Sequence, residues 1–356
     1  MSADERAVFS AAELLRWQEA GCQLESSRSD FYAGLLGRLA ADAERGDPRV
    51  AALLERAPMT IHAAPPLRLL GGLHRGVLTG EFTDLAATWP DVDGTGGDIA
   101  GAHREVVRLL AEPPATLLDT MTRDPQTNEV GRAAVLAPGL AFVAAETGLP
   151  IRVFEIGASA GLNLRLERYS YSAAGARWGD SSSPLRFTDR DYVGTPPLAS
   201  NPVVVERRGC DIHPIDATTA DGATTLLSYV WPDQSARITR LRAALAVARD
   251  FPVTIDAASA DEWVDERVRT EPGTVTVLMH SVMWQYLPPA VQQSVRAILT
   301  DRGGATDAAP IVELALEPGP TIVDMDLTVT RWPDGAPRLL ARCGGHGPPL
   351  RWGGDL

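Results

Sequence analysis

The residues best suited to chemistry lie in a glycine-rich turn near the middle of the chain. An apolar run, Ile151–Ile156, ends at the sequence GASAG of residues 157–161 and then enters a predicted helix. A strand that turns into a helix leaves backbone N–H groups at the helix start, where they can face the negative group of a ligand. The pattern therefore predicts a ligand-binding turn, although a tight turn that needs small residues only for packing would have the same spacing.

Two functional patterns fit this turn, and a third fails. The dinucleotide fingerprint GxGxxG fails because Ser159 and Leu162 stand where its second and third glycines belong. The pattern GxSxG, the nucleophile elbow of serine hydrolases, is met with Ser159 as the nucleophile. His346 follows Asp324 and Asp326, so this histidine and either aspartate would complete a triad in the required chain order.

The same turn also meets the pattern ExGxxxG, with Glu155, Gly157 and Gly161. In this respect it resembles motif I of class I S-adenosylmethionine-dependent methyltransferases. Chain order favours this resemblance, because hydrolases place several strands before the elbow and residues 1–150 have a mostly helical pattern. The hydrolase is the second hypothesis, and a non-catalytic binding protein with a methyltransferase-like fold is the third.

Hydrophobic periodicity predicts two domains around the turn. Residues 1–148 have apolar positions at helical spacing, beginning with a capping box of Ser10 and Glu13, and no strand is predicted before residue 151. After residue 148, short runs rich in valine and isoleucine alternate with amphipathic segments, which is typical of a parallel sheet covered by helices. Strands are predicted at Ile151–Ile156, 203–205, 253–255, 275–279 and 311–316, and a terminal antiparallel hairpin is predicted at 322–329 and 338–342.

This order of elements resembles the methyltransferase sheet, and the helical start resembles the substrate cap that many of these enzymes carry. The predicted fold class is α/β. We expect an N-terminal all-helical cap or substrate domain over residues 1–148. A Rossmann-like S-adenosylmethionine-binding domain should follow over residues 149–356, with a mostly parallel sheet and a C-terminal antiparallel hairpin.

The resemblance implies an acidic residue at the end of the second strand, where its carboxylate can accept hydrogen bonds from both ribose hydroxyls. The sequence GCDIHP of residues 209–214 looks like that strand end, which makes Asp211 the candidate. Asp211 lies 50 residues beyond Gly161, whereas a compact nucleotide-binding unit needs about 20. An insertion around residues 169–200 must therefore loop out, and an aspartate that only caps a turn before Pro214 is the alternative.

After the third strand, Asp256 is similar to the aspartate of the family's Asp-Ala step, which contacts the adenine, and Asp261 is an alternative. The cofactor that the resemblance implies is S-adenosylmethionine. Its binding residues would be Glu155, Gly157, Ser159, Gly161, Asp211 and Asp256.

The fourth predicted strand ends in the sequence HSVMWQYLP of residues 280–288. Ligands of open α/β sheets bind outside the carboxyl ends of the strands, so this segment should lie near the cofactor. A histidine with a near-neutral pKa could take a proton from an attacking amine or hydroxyl, and an aromatic face could stabilise a sulfonium. We assign His280 and Tyr286 as catalytic candidates and Trp284 and Gln285 as substrate-binding candidates. Core packing is the alternative for the two aromatic residues, and a structural role is the alternative for His280.

Polar side chains also crowd the segment before the glycine-turn strand. Asn128 and Arg132 are four residues apart, so on a helix they would share one face, with Glu129 beside them. Such a face could close over the carboxylate of the cofactor or bind substrate, and we assign all three residues to substrate binding. A solvated helix start with ordinary caps is the alternative.

Composition and charge limit the function classes. The net charge is −13 and lysine is absent from the sequence, which disfavours a nucleic-acid surface and excludes lysine Schiff-base chemistry. The three cysteines lack CxxC spacing, so neither a disulfide framework nor a metal site is predicted. The N-terminus does not resemble a signal peptide, and no apolar run reaches the ~20 residues of a membrane span. We expect a cytoplasmic protein, without a membrane partner, that acts on a small molecule.

Four segments, 126–132, 155–164, 228–234 and 280–288, together look like an uncharacterised bacterial family, and this resemblance spans most of the chain. The family implies no particular substrate or reaction. The combined hypothesis is transfer of a methyl group from S-adenosylmethionine to nitrogen or oxygen of a small molecule. Such a reaction needs alignment and exclusion of water more than it needs a catalytic triad or a metal.

Overall fold

A computed structural model of the chain describes residues 8–24, 28–90, 94–305, 309–321 and 324–353. The chain forms two compact units, here termed the helical unit (residues 1–127 with 219–239) and the sheet unit (residues 128–218 with 240–356). This division differs from the predicted boundary after residue 148. The helix Ala133–Thr147 is buried nearly all round and contacts the strands, which places it in the sheet unit.

Helices occur in both units. In chain order they are α1 (Ala11–Gln23), α2 (Asp30–Glu44), α3 (Pro48–Leu54), α4 (Pro65–Leu78), α5 (Thr83–Ala86), α6 (Ile99–Ala111), α7 (Ala115–Met121), α8 (Ala133–Thr147), α9 (Ala220–Ser228), α10 (Ser235–Asp250), α11 (Ala260–Arg267) and α12 (Pro289–Gly303). The helices α1 to α7 and α9 belong to the helical unit, and the division between the units falls within α10.

The helical unit is built as the sequence predicts. Ser10 and Glu13 form the capping box of α1, with the Ser10 N–H donating to Glu13 Oε2 at 2.7 Å. Leucines at helical spacing, such as Leu35 and Leu39 of α2, are fully buried in its core. The described residues of this unit contain no strand.

Strands occur in the sheet unit. They are β1 (Ile151–Ile156), β2 (Ser170–Ala173), β3 (Ala176–Gly179), β4 (Arg186–Phe187), β5 (Tyr192–Val193), β6 (Val204–Asp211), β7 (Ile255–Ala257), β8 (Val275–Ser281), β9 (Ile311–Pro318), β10 (Asp324–Trp332), β11 (Pro337–Gly344) and β12 (Gly347–Trp352). A large sheet has the order β5-β12-β11-β10-β9-β8-β1-β6-β7. The strands β7, β6, β1, β8 and β9 are parallel, and β10, β11 and β12 continue the sheet in antiparallel pairs. The fold is thus mixed α/β with a large, mostly parallel sheet.

Each predicted strand is present, although several bounds differ. The predicted terminal hairpin forms between β10 and β11, and residues 322–323 of its first strand lie outside the described residues. The insertion predicted around residues 169–200 contains a second sheet of order β3-β2-β4, together with β5, which pairs with β12 at the edge of the large sheet. These added strands are two to four residues long, too short to give a periodic sequence pattern.

Apolar layers cover both faces of the parallel strands. On one face, α8 approaches β9 so closely that a Cβ on Gly139 would lie 2.7 Å from Leu314 Cδ1. On the other face, Leu278 packs with Trp263 of α11 and Leu299 of α12. The segment Val130–Thr147 is long and apolar enough to cross a membrane, but 67% of it is buried, as in a core helix of a soluble protein.

Candidate functional site

The glycine turn, residues 157–161, connects β1 to a short 3-10 helix, Asn163–Arg168. The residues Gly157, Ser159 and Gly161 have left-handed φ angles of 66°, 51° and 64°. The expected α-helix does not form, since Arg165 has non-helical dihedral angles, φ −103° and ψ 22°. The turn is therefore an irregular loop and not the start of an α-helix with N–H groups facing a ligand.

Buried side chains bond the backbone carbonyls of the turn. Arg165 donates from Nη1 to the carbonyl oxygens of Ala160 and Gly161, at 3.2 and 2.7 Å. The Tyr169 hydroxyl donates to the carbonyl of Leu162 at 2.6 Å. The Gly161 and Leu162 carbonyls also accept the Leu164 and Arg165 N–H groups, at 3.2 and 3.3 Å, which are bonds of the 3-10 type. The side chains therefore add hydrogen bonds to the turn and help to fix its shape.

Several N–H groups of the turn are also bonded within the protein. The Ser159 N–H donates to Asp211 Oδ2 at 2.8 Å, and the Leu162 N–H donates to Asn128 Oδ1 at 2.9 Å. The Gly161 N–H is bonded inside the turn. These groups are consequently not available as a cradle for phosphate, and a ligand over this turn would be recognised mainly by side chains.

The two candidate aspartates have different environments. Asp211, at the carboxyl end of β6, lies beside the turn, and its Oδ1 accepts the His213 N–H at 2.9 Å. Asp256, in β7, binds Arg208 through both oxygens at 2.7 and 2.9 Å and accepts the Trp263 Nε1–H at 2.7 Å. These bonds, led by those of Arg208, lower the pKa of Asp256. The assignment of Asp256 to the cofactor is therefore corrected: its carboxylate ties β7 to β6 and α11.

Glu155, in β1, is the acidic residue of the ExGxxxG pattern and is only 2% exposed. Burial, reinforced by the charge of Asp211, raises the pKa of Glu155 to about 8. Within the described part of the chain, its Oε2 has no hydrogen-bond partner. A buried polar atom without a partner is rare, and with this pKa the carboxyl group is mainly protonated and uncharged at neutral pH.

His280 does not fit the predicted role of a base. The ring is 2% exposed, with Nδ1 2.8 Å from Glu317 Oε1 and Nε2 3.3 Å from Glu313 Oε1. Burial opposes the charged form, but the two carboxylates outweigh it and raise the pKa of His280 to about 9. At neutral pH both ring nitrogens therefore carry protons that bond to carboxylates, and such a ring cannot accept a proton.

The other predicted residues after β8 lie in a short 3-10 helix, Trp284–Tyr286. The Trp284 ring stacks on His280 at a centroid distance of 5.1 Å, and the Arg296 guanidinium lies 5.1 Å from the Trp284 centroid. Gln285 and Tyr286 are exposed, Tyr286 by 58%. Tyr286 is thus not a core residue, whereas Trp284 is half-buried in packing contacts.

The segment before α8 is not the helix that the spacing of Asn128 and Arg132 predicts. Asn128 and Glu129 precede a 3-10 helix, Val130–Arg132, and the Glu129 side chain caps it. Asn128 nevertheless binds the glycine turn, and Arg132 donates from Nη1 to the Ser281 carbonyl at 3.1 Å. The segment therefore connects the turn after β1 with the end of β8 without forming a common helical face.

The predicted hydrolase triad is not assembled with either aspartate as its acid. Asp324 and Asp326 are ion-paired with arginines of the terminal strands at 2.9 and 2.8 Å. The acidic neighbour of His346 is Glu129, with Oε2 3.6 Å from Nδ1. Among the residues that the structure describes, no group of three His, Cys, Asp or Glu side chains is arranged to hold a metal ion.

Sequence reasoning missed Arg165, Glu313 and Glu317. A usable signal existed for the glutamates, because residues four apart on a strand point to the same face. Glu313 lies within the predicted strand 311–316, and Glu317 follows directly after it. Arg165 gave no such signal, since its partners are backbone carbonyls, two in the turn and one at Phe251.

The profile of one bacterial family, described as "Uncharacterized protein conserved in bacteria (DUF2332)", matches residues 12–352. The match covers nearly the whole chain, so the protein belongs to this family. No curated protein and no solved structure matches the chain.

Proposed function

We propose that this member of the DUF2332 family is an S-adenosylmethionine-dependent methyltransferase that acts on nitrogen or oxygen of a small molecule. The observation that carries the proposal is the position of Asp211. Its carboxylate lies at the end of β6 and 2.8 Å from the Ser159 N–H in the turn after β1. From there it can accept hydrogen bonds from both ribose hydroxyls of a nucleoside bound over the turn.

The strand order supports a ligand at this edge. Across the parallel part of the sheet, β7-β6-β1-β8-β9, the strands are third, second, first, fourth and fifth in chain order. The order reverses between β1 and β8, and open parallel sheets bind ligands outside the carboxyl ends of the strands at such a point. The glycine turn and the end of β8 both lie at this switch point.

The chemistry of the donors and acceptors favours a ligand without phosphate. The N–H groups of Ser159 and Leu162 are bonded to side chains, whereas the carboxyl groups of Glu155 and Asp211 lie near the turn. S-adenosylmethionine has a ribose diol, an amino group and a sulfonium, all of which suit carboxyl groups. The partnerless Oε2 of Glu155 also fits a ligand of this kind.

When bound, S-adenosylmethionine supplies a methyl group that is already activated for transfer. Glu155, Gly157, Ser159, Gly161 and Asp211 would hold it. Asn128 and Arg132 would fix the turn and the end of β8, and the exposed Gln285 and Tyr286 would meet the acceptor. Since His280 is protonated, the acceptor would lose its proton elsewhere, and the protein would act by alignment and exclusion of water. All three cysteines are free and buried, which suits the cytoplasmic location that we also propose.

Titration calorimetry with S-adenosylmethionine and S-adenosylhomocysteine tests the proposal. The wild-type protein should bind both ligands, and Asp211→Asn should weaken binding by about tenfold or more because a charge-assisted acceptor is lost. Asp256→Asn is the matched control, since it removes a carboxylate from the next strand that is committed to Arg208. Absence of binding to the wild type, or equal loss in both variants, would contradict the proposal.

A serine hydrolase is the second candidate, because Ser159 has a strained φ of 51°, as a nucleophile elbow requires. Its acid would be Glu129, next to His346. Against it, no strand precedes β1 in the described residues. Labelling by a fluorophosphonate probe that disappears in Ser159→Ala would support the hydrolase, and lack of labelling would exclude it.

A further inference from the structure

Glu317, near the end of β9, has three hydrogen-bond donors on one oxygen. Its Oε1 accepts from His280 Nδ1 at 2.8 Å, from the Met283 N–H at 3.1 Å and from the Trp284 N–H at 3.2 Å. The proposed function does not account for this arrangement. A carboxylate that binds two successive backbone N–H groups fixes the path of the chain as well as the charge of the histidine.

The charges around this carboxylate are balanced from several elements. Glu313 and Glu317 come from β9, His280 from β8, and Arg296 from α12, where it lies over the Trp284 ring. Glu155 of β1 is close enough for the charge of His280 to lower its pKa, against the larger effect of burial. Two carboxylates thus face one imidazolium, so removing either carboxylate leaves a buried cation with less compensation.

The backbone that Glu317 holds is strained and leads to the glycine turn. Val282 has a φ of 50°, which is unusual for a β-branched residue and persists only where surrounding contacts impose it. The next side chain, Met283, lies against Gly157, where an added Cβ would be 2.8 Å from Met283 Cγ. The contact between Met283 and Gly157 therefore depends on the backbone of residues 283–284, which Glu317 bonds.

We propose that Glu317 is a positioning residue that, by bonding the backbone of Met283 and Trp284, holds the Met283 side chain against Gly157 and keeps the glycine turn in its binding shape. Glu317 does not touch the ligand. Its effect on the site passes through Met283, and in this respect the inference rests on the proposed function. The Glu313 side chain bonds the same histidine but not the N–H groups of Met283 and Trp284. A substitution of Glu313 therefore separates the effect on the charge of His280 from the effect on this backbone.

Amide hydrogen exchange on the unliganded protein tests the first part of the proposal without any ligand. Glu317→Gln should speed exchange at Met283 and Trp284 by about tenfold, since a charge-assisted bond becomes a neutral one. Glu313→Gln should lower the pKa of His280, measured by NMR, while leaving exchange at these two amides unchanged. Equal exchange in the two variants would overturn the inference whether or not the protein binds S-adenosylhomocysteine.

Calorimetry with S-adenosylhomocysteine tests the second part. Glu317→Gln and Met283→Ala should both weaken binding, whereas Glu313→Gln should bind as the wild type does. Met283→Ala leaves the backbone bonds of Glu317 intact, so it shows whether binding needs the Met283 side chain even if Glu317→Gln fails to fold. Faster exchange in Glu317→Gln with unchanged affinity in both variants would mean that Glu317 is merely structural, which overturns the positioning role. If the wild type does not bind, the proposed function fails and the positioning role fails with it, while the exchange result still decides the backbone bonds.

Discussion

Replacing Glu155 by glutamine should change how the stability of the protein depends on pH. The Glu155 side chain is buried in β1, and burial with the nearby charge of Asp211 raises its pKa from 4.5 to about 8. Glutamine has nearly the same size and no charge, so it keeps the packing and removes the titration. The substitution therefore isolates the free energy that ionisation of this buried carboxyl group costs.

The direction of the change in stability with pH follows from the pKa of Glu155 in the unfolded chain and in the folded protein. A group whose pKa is higher in the folded protein than in the unfolded chain stabilises the fold fully below the unfolded pKa, and this contribution is lost as the pH rises through the folded pKa. For Glu155 the window therefore runs from 4.5 to about 8. At ~1.4 kcal/mol per pKa unit, the free energy of unfolding of the variant should rise relative to wild type by about 4 kcal/mol between pH 5 and pH 9.

Urea unfolding followed by circular dichroism at pH 5, 7 and 9 measures this difference. The free energy of unfolding of the variant, relative to wild type, should rise least at pH 5 and most at pH 9. Glu262→Gln, at an exposed position in α11, is the matched control and should change the free energy of unfolding much less than Glu155→Gln does. A difference between Glu155→Gln and wild type that does not change with pH would refute the environment assigned to Glu155.

Three further substitutions test other parts of the site, each by urea unfolding. Asp256→Asn should lower the free energy of unfolding by about 1 to 3 kcal/mol because it breaks the paired bonds to Arg208, and an unchanged value would contradict this. Arg165→Met should cost about 3 kcal/mol or more, since the turn carbonyls lose their buried donor; a loss below about 1 kcal/mol would argue against that role. Ser159→Gly should be about 1 kcal/mol more stable than Ser159→Ala, because both remove the hydroxyl and only glycine relieves the left-handed φ, so equal stability of the two variants would contradict this strain.

The bounds of the parallel strands could be predicted where the buried residues are apolar. β1 matches its prediction at both ends because an apolar run lies between Pro150 and Gly157. β6 extends to Asp211, six residues beyond the predicted 203–205, since its charged residues are neutralised by distant partners. Arg208 pairs with Asp256, and Arg207 pairs with Glu167 at 2.6 Å. Such pairs leave no apolar periodicity for sequence analysis to detect.

The location of the candidate site could be predicted, but the chemical state of its residues could not. The glycine turn and the end of β8 are found from local patterns, because the carboxyl ends of parallel strands lie at one edge. The protonation of His280 depends on Glu313 and Glu317, which are 33 and 37 residues away in sequence. Likewise the turn takes its shape from Arg165, whose bonds to backbone carbonyls have no sequence signature.

If the proposed function is right, a nucleoside with a sulfonium binds over the glycine turn beside Asp211. Photo-crosslinking with S-adenosylmethionine labelled in its methyl group, followed by peptide mapping, tests this location directly. Label should appear in the peptides that contain residues 157–162 or 211–213, and excess S-adenosylhomocysteine should abolish it. Label confined to another place, such as the cavity of about 320 Å³ lined by Arg342 and Trp352, or no specific label at all, would contradict it.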